Sequence, residues 1–99
     1  MLRHVVTWNY RAGLSEAENR ENALTIKQGL ESLAGRIDGV IEIKVHINEL
    51  STSNRDLMLD SLFESEEALT EYQVQPEHKK VSEFISSVMQ NRAYIDYFE

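Results

Sequence analysis

The chain reads VIEIKVHIN at residues 40–48 and LMLDSLF at residues 57–63. Every second residue from Ile41 to Ile47 is apolar and the residues between them are polar, which is the pattern of a strand with one buried face. Residues 57–63 alternate in a similar way, and the polar residues 51–54 are typical of a turn. The two stretches therefore predict an antiparallel β-hairpin.

The sequence before the hairpin predicts a strand and a helix. Residues 2–10 are rich in β-branched and aromatic residues, which favours a strand. Ser15 followed by Glu18 is a capping box that opens a helix, and apolar residues then recur at spacings of three and four until the helix ends near Gly35. Asp38 and Gly39 are typical of a turn that leads into the hairpin.

The sequence after the hairpin predicts a broken helix and a last strand. Ser65 is a candidate N-cap with two glutamates behind it, and Pro76 suits the first turn of a new helix because its missing N–H has no helical partner there. The broken helix covers residues 65–87, and the aromatic and β-branched residues of 94–98 indicate a fourth strand.

The predicted order βαββαβ indicates an α+β, ferredoxin-like protomer: a four-stranded antiparallel sheet with both helices on one face, in a single domain of residues 1–99. The opposite face then needs a cover, because not every apolar strand residue can face the helices and a large exposed apolar patch is unusual in a monomer. We therefore expect a homodimer with sheets packed face to face. The residues behind this argument are Leu2, Val6, Trp8, Met58 and Leu62.

Composition excludes several classes of function. The net charge is −7, the acidic residues are concentrated in the second half, and no basic stripe is present that could neutralise phosphates, so neither nucleic acid nor an anionic membrane surface is an expected partner. The chain contains no cysteine, which excludes disulfides and thiolate chemistry. We see neither a signal peptide nor a membrane-spanning stretch and expect a cytoplasmic protein.

Tyr72 and His78 are the candidate catalytic residues. His78, Val81 and Ile85 recur at helical spacing on one face, and Tyr72 shares a face with Leu69, so both polar side chains point toward the core. A tyrosine and a histidine in such positions are more often packed residues with a satisfied polar tip than catalysts. The two interpretations differ in whether the side chains reach a common cavity.

Several short motifs resemble those of the stress-responsive dimeric α/β-barrel (Dabb) proteins, in the same order and over nearly the whole chain. They are RHVV at residues 3–6, FES at 63–65, AL at 68–69, YQ at 72–73, PEH at 76–78 and DY at 96–97. The resemblance implies a ferredoxin-like protomer whose sheet packs against that of a second copy.

The resemblance also implies candidate site residues. One plant branch of the family cyclises a linear polyketide by intramolecular aldol condensation without metal or organic cofactor, using a His and a Tyr. The matching positions are His78 and Tyr72, with His4 in the pocket and Asp96 near His78. The family often has a histidine at the position of Gln75, and glutamine can hydrogen-bond but cannot serve as a base.

The candidates are chemically coherent for removal of a proton next to a carbonyl, because an imidazole exchanges protons near neutral pH and a phenol can donate to an enolate oxygen. His78 would be the base and Tyr72 the acid, with His4, Asp96, Gln75 and Trp8 as substrate-binding candidates. Alternatively, Asp96 pairs with Arg92 or Arg3, and His4 is a hydrogen-bonded strand residue. The spacing of His4, His78 and Asp96 matches no metal signature, and we expect neither metal nor cofactor.

Three functions stay open from the sequence. The first is a homodimer that binds a small, largely apolar, carbonyl-containing molecule, with cyclase or isomerase chemistry; the second is a non-catalytic stress-response or interaction protein; the third is a cofactor-free monooxygenase. A cavity of a few hundred Å³ reached by His78 would favour the first, since ligand sites typically exceed ~300 Å³.

Overall fold

The computed structural model describes residues 1–99. It contains four strands and three α-helices, and a 3₁₀ turn at Ser32–Gly35 extends the first helix. The order βαββαβ holds, with the second helical region divided in two by the break before Pro76. The elements are β1 (Leu2–Tyr10), α1 (Glu16–Glu31), β2 (Val40–Ile47), β3 (Leu57–Phe63), α2 (Glu66–Val74), α3 (Pro76–Val88) and β4 (Met89–Phe98).

The strands form one antiparallel sheet in the order β2-β3-β1-β4, which confirms the predicted ferredoxin-like fold. The predicted hairpin is β2 and β3, and its register places Val45 opposite Leu59. The first and last strands lie side by side, with His4 directly opposite Asp96. This pairing brings together side chains that are 92 residues apart in the chain.

The predicted local signals fix where the helices begin. The Ser15 hydroxyl accepts from the Glu18 amide at 3.1 Å and the Glu18 carboxylate accepts from the Ser15 amide at 3.2 Å, which completes the capping box. Ser65 caps α2 by accepting from the Ala68 amide at 3.1 Å. Pro76 is the first residue of α3, where its missing N–H costs nothing.

The turn before β2 requires a glycine. Gly39 has φ of +85°, and a Cβ placed there would lie 2.7 Å from the Cβ of Ala68. Any other residue would therefore suffer both a strained backbone and a clash with α2. This close approach fixes α2 against the start of the hairpin.

The core lies between the sheet and the helices. Leu2, Val6 and Trp8 are all buried on the helix-covered face, so the chain's own helices cover these three residues, and a second copy is not needed for them. The opposite, open face carries Val5 and Leu62, and the register places Ile95 beside Val5 there. The apolar part of the open face is therefore smaller than the sequence predicted.

Strand β4 is longer than the sequence predicted. It begins at Met89, immediately after α3, rather than at Tyr94. Residues 89–93 have little intrinsic strand preference, and their pairing with β1 makes them a strand; Asn91, which tolerates a positive φ, has φ of 56° near an irregularity in that pairing. All residues of β4 beyond Gln90 are exposed, since this edge of the sheet has no helix over it.

None of the helices has both the length and the hydrophobicity that crossing a bilayer requires.

Candidate functional site

A small cavity of about 70 Å³ lies between the sheet and α3, near the edge where β4 leaves the helical cover. Aliphatic side chains from α1, β1, β3 and α3 form part of its wall. The remaining wall residues carry side chains that can form hydrogen bonds. They are His4, Trp8, Gln73, His78, Ser82, Ser86 and Arg92.

His78 lies in the first turn of α3 and lines this cavity. Its Nδ1 is 3.2 Å from the carbonyl oxygen of Gln73. A carbonyl can only accept, so Nδ1 carries the hydrogen and Nε2 keeps a free lone pair. Burial lowers the pKa of His78, and the nearby His4 and Arg92 act in the same direction. The imidazole is therefore neutral at neutral pH and able to accept a proton.

Tyr72 is fully buried directly beside His78. Its ring centre is 4.4 Å from that of His78 and 5.0 Å from that of Phe63. Burial raises the pKa of the phenol well above its ordinary value, so it keeps its proton. The hydroxyl has no hydrogen-bond partner, and Tyr72 does not line the cavity. The structure thus brings the two candidate catalytic rings into contact but places only His78 at the cavity.

His4 is the second imidazole of the cavity, and it is buried. Its Nδ1 forms a short hydrogen bond with the carboxylate of Asp96 on the neighbouring strand. Asp96 therefore contacts His4 and forms no ion pair with Arg92 or Arg3, because the register of β1 and β4 places it opposite His4. A carboxylate accepts from Nδ1–H, so Nε2 is the nitrogen of His4 that a ligand can reach.

The two other substrate-binding candidates are placed differently. Trp8 is buried and lines the cavity, as a pocket residue would. Gln75 lies in the break between α2 and α3 with an extended backbone and does not line the cavity. The side chain that replaces the family's histidine is thus separate from the two imidazoles.

Two further cavity residues were not singled out from the sequence. Ser82 follows His78 by one helical turn, so its position on the same face could have been found from the spacing. Arg92 lies on the part of β4 that the sequence did not predict as strand, and no local signal placed it at the cavity. Its guanidinium carbon lies 4.5 Å above the ring centre of Tyr94.

A larger depression on the surface, about 570 Å³, is a different feature. It lies between α1 and the end of β2 and is lined by residues such as Tyr10, Arg20 and Glu49, with no candidate site residue among them. Size alone would select this groove, but the imidazoles and their anchoring groups lie at the smaller cavity. No group of three or more His, Asp or Glu side chains is arranged to hold a metal ion.

Solved structures with the same fold are numerous. A dimeric protein of unknown function with a ferredoxin-like fold from Bacteroides fragilis is 23% identical, with 97% of this chain and 93% of that chain aligned and a TM-score of 0.91. The Arabidopsis thaliana protein At3g17210 is 22% identical, with 100% and 95% aligned and a TM-score of 0.78. A conserved protein of unknown function from Bacteroides thetaiotaomicron, described as a "possible oxidoreductase", is 16% identical, with 97% and 94% aligned and a TM-score of 0.77.

These structural likenesses show the fold. Among curated protein sequences, none matches the chain. The sequence profile of one family, described as the Stress responsive A/B Barrel Domain (Dabb), matches residues 2–99. Together with the βαββαβ sheet and its dimeric ferredoxin-like relatives, this match shows that the chain belongs to the Dabb family.

Proposed function

We propose that the chain binds a small, largely apolar, carbonyl-containing molecule at the cavity between His4 and His78, and that His78 removes a proton from the carbon next to the carbonyl. The observation that carries the proposal is the state of His78. Its Nδ1 lies 3.2 Å from the Gln73 carbonyl oxygen, burial lowers its pKa and so favours the neutral imidazole, and the residue lines a cavity, which leaves Nε2 as the nitrogen that can act as a base.

The proton transfer needs no oxidant or reductant. The C–H bond breaks, its hydrogen goes to Nε2 of His78, and its electron pair moves onto the carbonyl oxygen, which becomes an enolate. In a cyclase the enolate carbon then attacks a second carbonyl of the same molecule, and the new alkoxide takes the proton back. In an isomerase the proton returns to a different carbon. Neither path requires a cofactor.

The enolate oxygen needs a donor, for which we retain Tyr72 as the candidate. Its phenol keeps its proton and makes no hydrogen bond within the chain, so its donor capacity is unused. Because Tyr72 lies behind His78 rather than at the cavity wall, this role requires a bound ligand to open the wall toward it. Ser82, already at the wall, is the alternative donor.

The test is exchange of the α-hydrogens of 2-pentanone for deuterium in D₂O, followed by NMR, because enolisation can be observed without knowledge of the natural product. The wild-type protein should accelerate exchange, and His78→Ala should reduce that acceleration by roughly 10²-fold or more, the usual contribution of a general base. His46→Ala is the matched control, since it removes an imidazole that does not line the cavity; because His46 lies on the open face of the sheet, the mass of the dimer is measured for this variant as well. Equal exchange rates for wild type and His78→Ala would refute the proposal.

Tyr72→Phe in the same assay separates the two donors. Removing a hydroxyl that makes no hydrogen bond should leave the protein folded and at least as stable, so a slower exchange would report chemistry rather than damage. Loss of exchange in Ser82→Ala but not in Tyr72→Phe would assign the donor role to Ser82.

One observation favours the second candidate function, a non-catalytic stress-response or interaction protein. The cavity of about 70 Å³ is well below the ~300 Å³ of ordinary ligand sites. If the protein neither binds 2-pentanone nor accelerates its exchange, the imidazoles are structural and the dimer itself is the functional unit. Cofactor-free monooxygenase chemistry stays a less supported alternative, since no cavity residue selects it.

We further propose that the protein is a homodimer that buries the open face of the sheet, and that it acts in the cytoplasm. The open face carries Val5, Met58 and Leu62, and Ile95 is 62% exposed. The description of the B. fragilis relative as dimeric supports this arrangement. The site of each protomer would then lie on the outer, helix-covered side of its own sheet.

A further inference from the structure

We propose that the ligand of the His4–His78 cavity carries an acidic group, and that Arg92 binds this group as a carboxylate at the mouth of the cavity. The inference rests on the proposed function, because it concerns a ligand of the same site. It adds the chemical class of that ligand and a residue that determines specificity.

The first observation is that Arg92 is a cavity residue with no acidic partner. Other arginines of the chain also lack an acidic partner, but Arg92 is the one among them that lines this cavity. Arg3, in contrast, is 3.0 Å from Asp60 and 2.8 Å from Glu99. No carboxylate of the chain lies within ion-pair distance of Arg92, although Asp96 is four positions further along the strand; its carboxylate is hydrogen-bonded to His4.

The second observation is the position of the guanidinium. Its central carbon lies over the ring of Tyr94, 4.5 Å from the ring centre, in a cation–π contact. The Arg92 side chain donates no hydrogen bond within the chain, so its N–H groups are free to donate to a ligand. A guanidinium edge matches both oxygens of a carboxylate, which a single ammonium group does not.

The third observation is the position of Arg92 relative to the imidazoles. Arg92 belongs to the exposed part of β4, whereas His4 is buried and His78 is half-buried. Arg92 is also close enough to His78 to contribute to the low pKa of that imidazole. A ligand can therefore place its carbonyl end inward at His78 and its acidic end outward at Arg92.

The size of the cavity agrees with such a compact ligand. About 70 Å³ holds roughly two water-sized groups, given the ~30 Å³ that a water takes in the liquid. The inner part therefore fits a short carbonyl segment, with the acid at the rim. A short oxo acid satisfies both requirements.

The experiment compares 4-oxopentanoate with 4-oxopentanamide, which differ in charge but little in shape. Binding to the wild-type protein is followed by NMR titration of the histidine resonances. We expect the acid to bind at least ten times more tightly than the amide, since a hydrogen bond to a charged group commonly changes affinity by that factor or more. Arg92→Gln should remove the preference, because it weakens binding of the acid much more than binding of the amide.

Arg36→Gln is the matched control, because Arg36 is an exposed arginine without an acidic partner that does not line the cavity. It should retain the preference for the acid. Arg92→Lys keeps the positive charge but loses the paired N–H donors of the guanidinium, so it should retain only part of the preference for the acid. The thermal midpoint of each variant checks that the fold is intact.

The outcomes separate the two proposals. Equal binding of acid and amide to the wild-type protein, or an unchanged preference in Arg92→Gln, overturns the role of Arg92 and leaves His78 chemistry standing. If neither compound perturbs the resonances of His4 and His78, the ligand site itself is absent and the inference fails with it.

Discussion

The two faces of the sheet differ in what covers them. On the helix-covered face the side chains of β1 and β3 are buried, and only His4 and Ser61 among the buried residues are polar. On the open face, Arg3 is hydrogen-bonded to Asp60 and Glu99, and apolar residues lie between the charged ones. The chain's own helices cover the first face. The open face carries both charged and apolar side chains, a composition that suits contact with an identical surface of a second copy.

The helix-covered face is itself divided. The residues of β3 that face the helices are buried, but the corresponding residues of β4, namely Tyr94, Asp96 and Phe98, are not. The candidate site lies at this boundary, where polar groups can be both anchored and reached. Burial lowers the pKa of His78, and the exposed edge of the sheet allows a ligand to reach the site.

The largest expected effect is on the packed side of this boundary. Phe63 is fully buried against Tyr72, and Phe63→Ala should lower the free energy of unfolding by about 3–5 kcal/mol, because the cavity left behind cannot fill. Phe98→Ala is the control, since Phe98 is 70% exposed on the uncovered edge. Urea unfolding at fixed protein concentration measures both. Similar losses for the two variants would mean that the edge is as well covered as the core.

A smaller effect is expected on the open face. Ile95→Lys introduces a charge into the proposed dimer interface and should weaken the dimer by at least tenfold, because the ammonium would be buried without a partner. Native mass spectrometry and sedimentation at micromolar concentration measure the dimer. Leu24→Lys, at a residue 47% exposed on α1, is the control and should leave the dimer unchanged. A wild-type protein that is monomeric at that concentration would contradict the proposed interface.

The smallest effect concerns the dependence of stability on pH. The folded protein holds the pKa of His78 below its unfolded value of about 6.5, so the unfolded chain binds the proton more readily. Stability linked to His78 is therefore complete above about pH 6.5 and is lost as the pH falls toward the folded pKa. His78→Gln should lose less stability between pH 7 and pH 5 than the wild-type protein does.

Thermal midpoints across this window measure the effect, with His46→Gln as the matched variant that removes an imidazole outside the cavity. His4 on β1 and Arg92 on β4, which face His78, are present in both proteins, so the difference between them reports His78. If His78→Gln lost more stability than the wild-type protein as the pH falls, the pKa of His78 would be raised by folding rather than lowered, contrary to the prediction.

Much of the fold could be predicted from the sequence because its signals are local. The alternation in residues 40–48, the Ser15–Glu18 capping box and Pro76 each act within a few residues, and each matches the structure. The inward direction of Tyr72 and His78 follows in the same way from helical spacing. The start of β4 was wrong because residues 89–93 carry no local strand preference and become a strand by pairing with β1.

The site was only partly predictable. Helical spacing gave the faces of Tyr72 and His78, but it did not show that Tyr72 lies behind the imidazole and outside the cavity. The contact of Asp96 with His4 could not be predicted, because it depends on the register between the first and last strands. Arg92 was not predicted at the cavity because residues 89–93 were not predicted as strand, and it is this part of β4 that brings Arg92 to the cavity mouth.

The sequence by itself determined the order of the elements, the points where the helices begin and the residues that turn inward, since hydrophobic period and capping operate over one or two turns of chain. The tertiary structure alone decided that His4 meets Asp96, that His78 binds the Gln73 carbonyl beside a cavity, and that Arg92 lies at its mouth without an acid. These contacts depend on strand register and on where the helical cover ends, which are set by the packing of the whole chain.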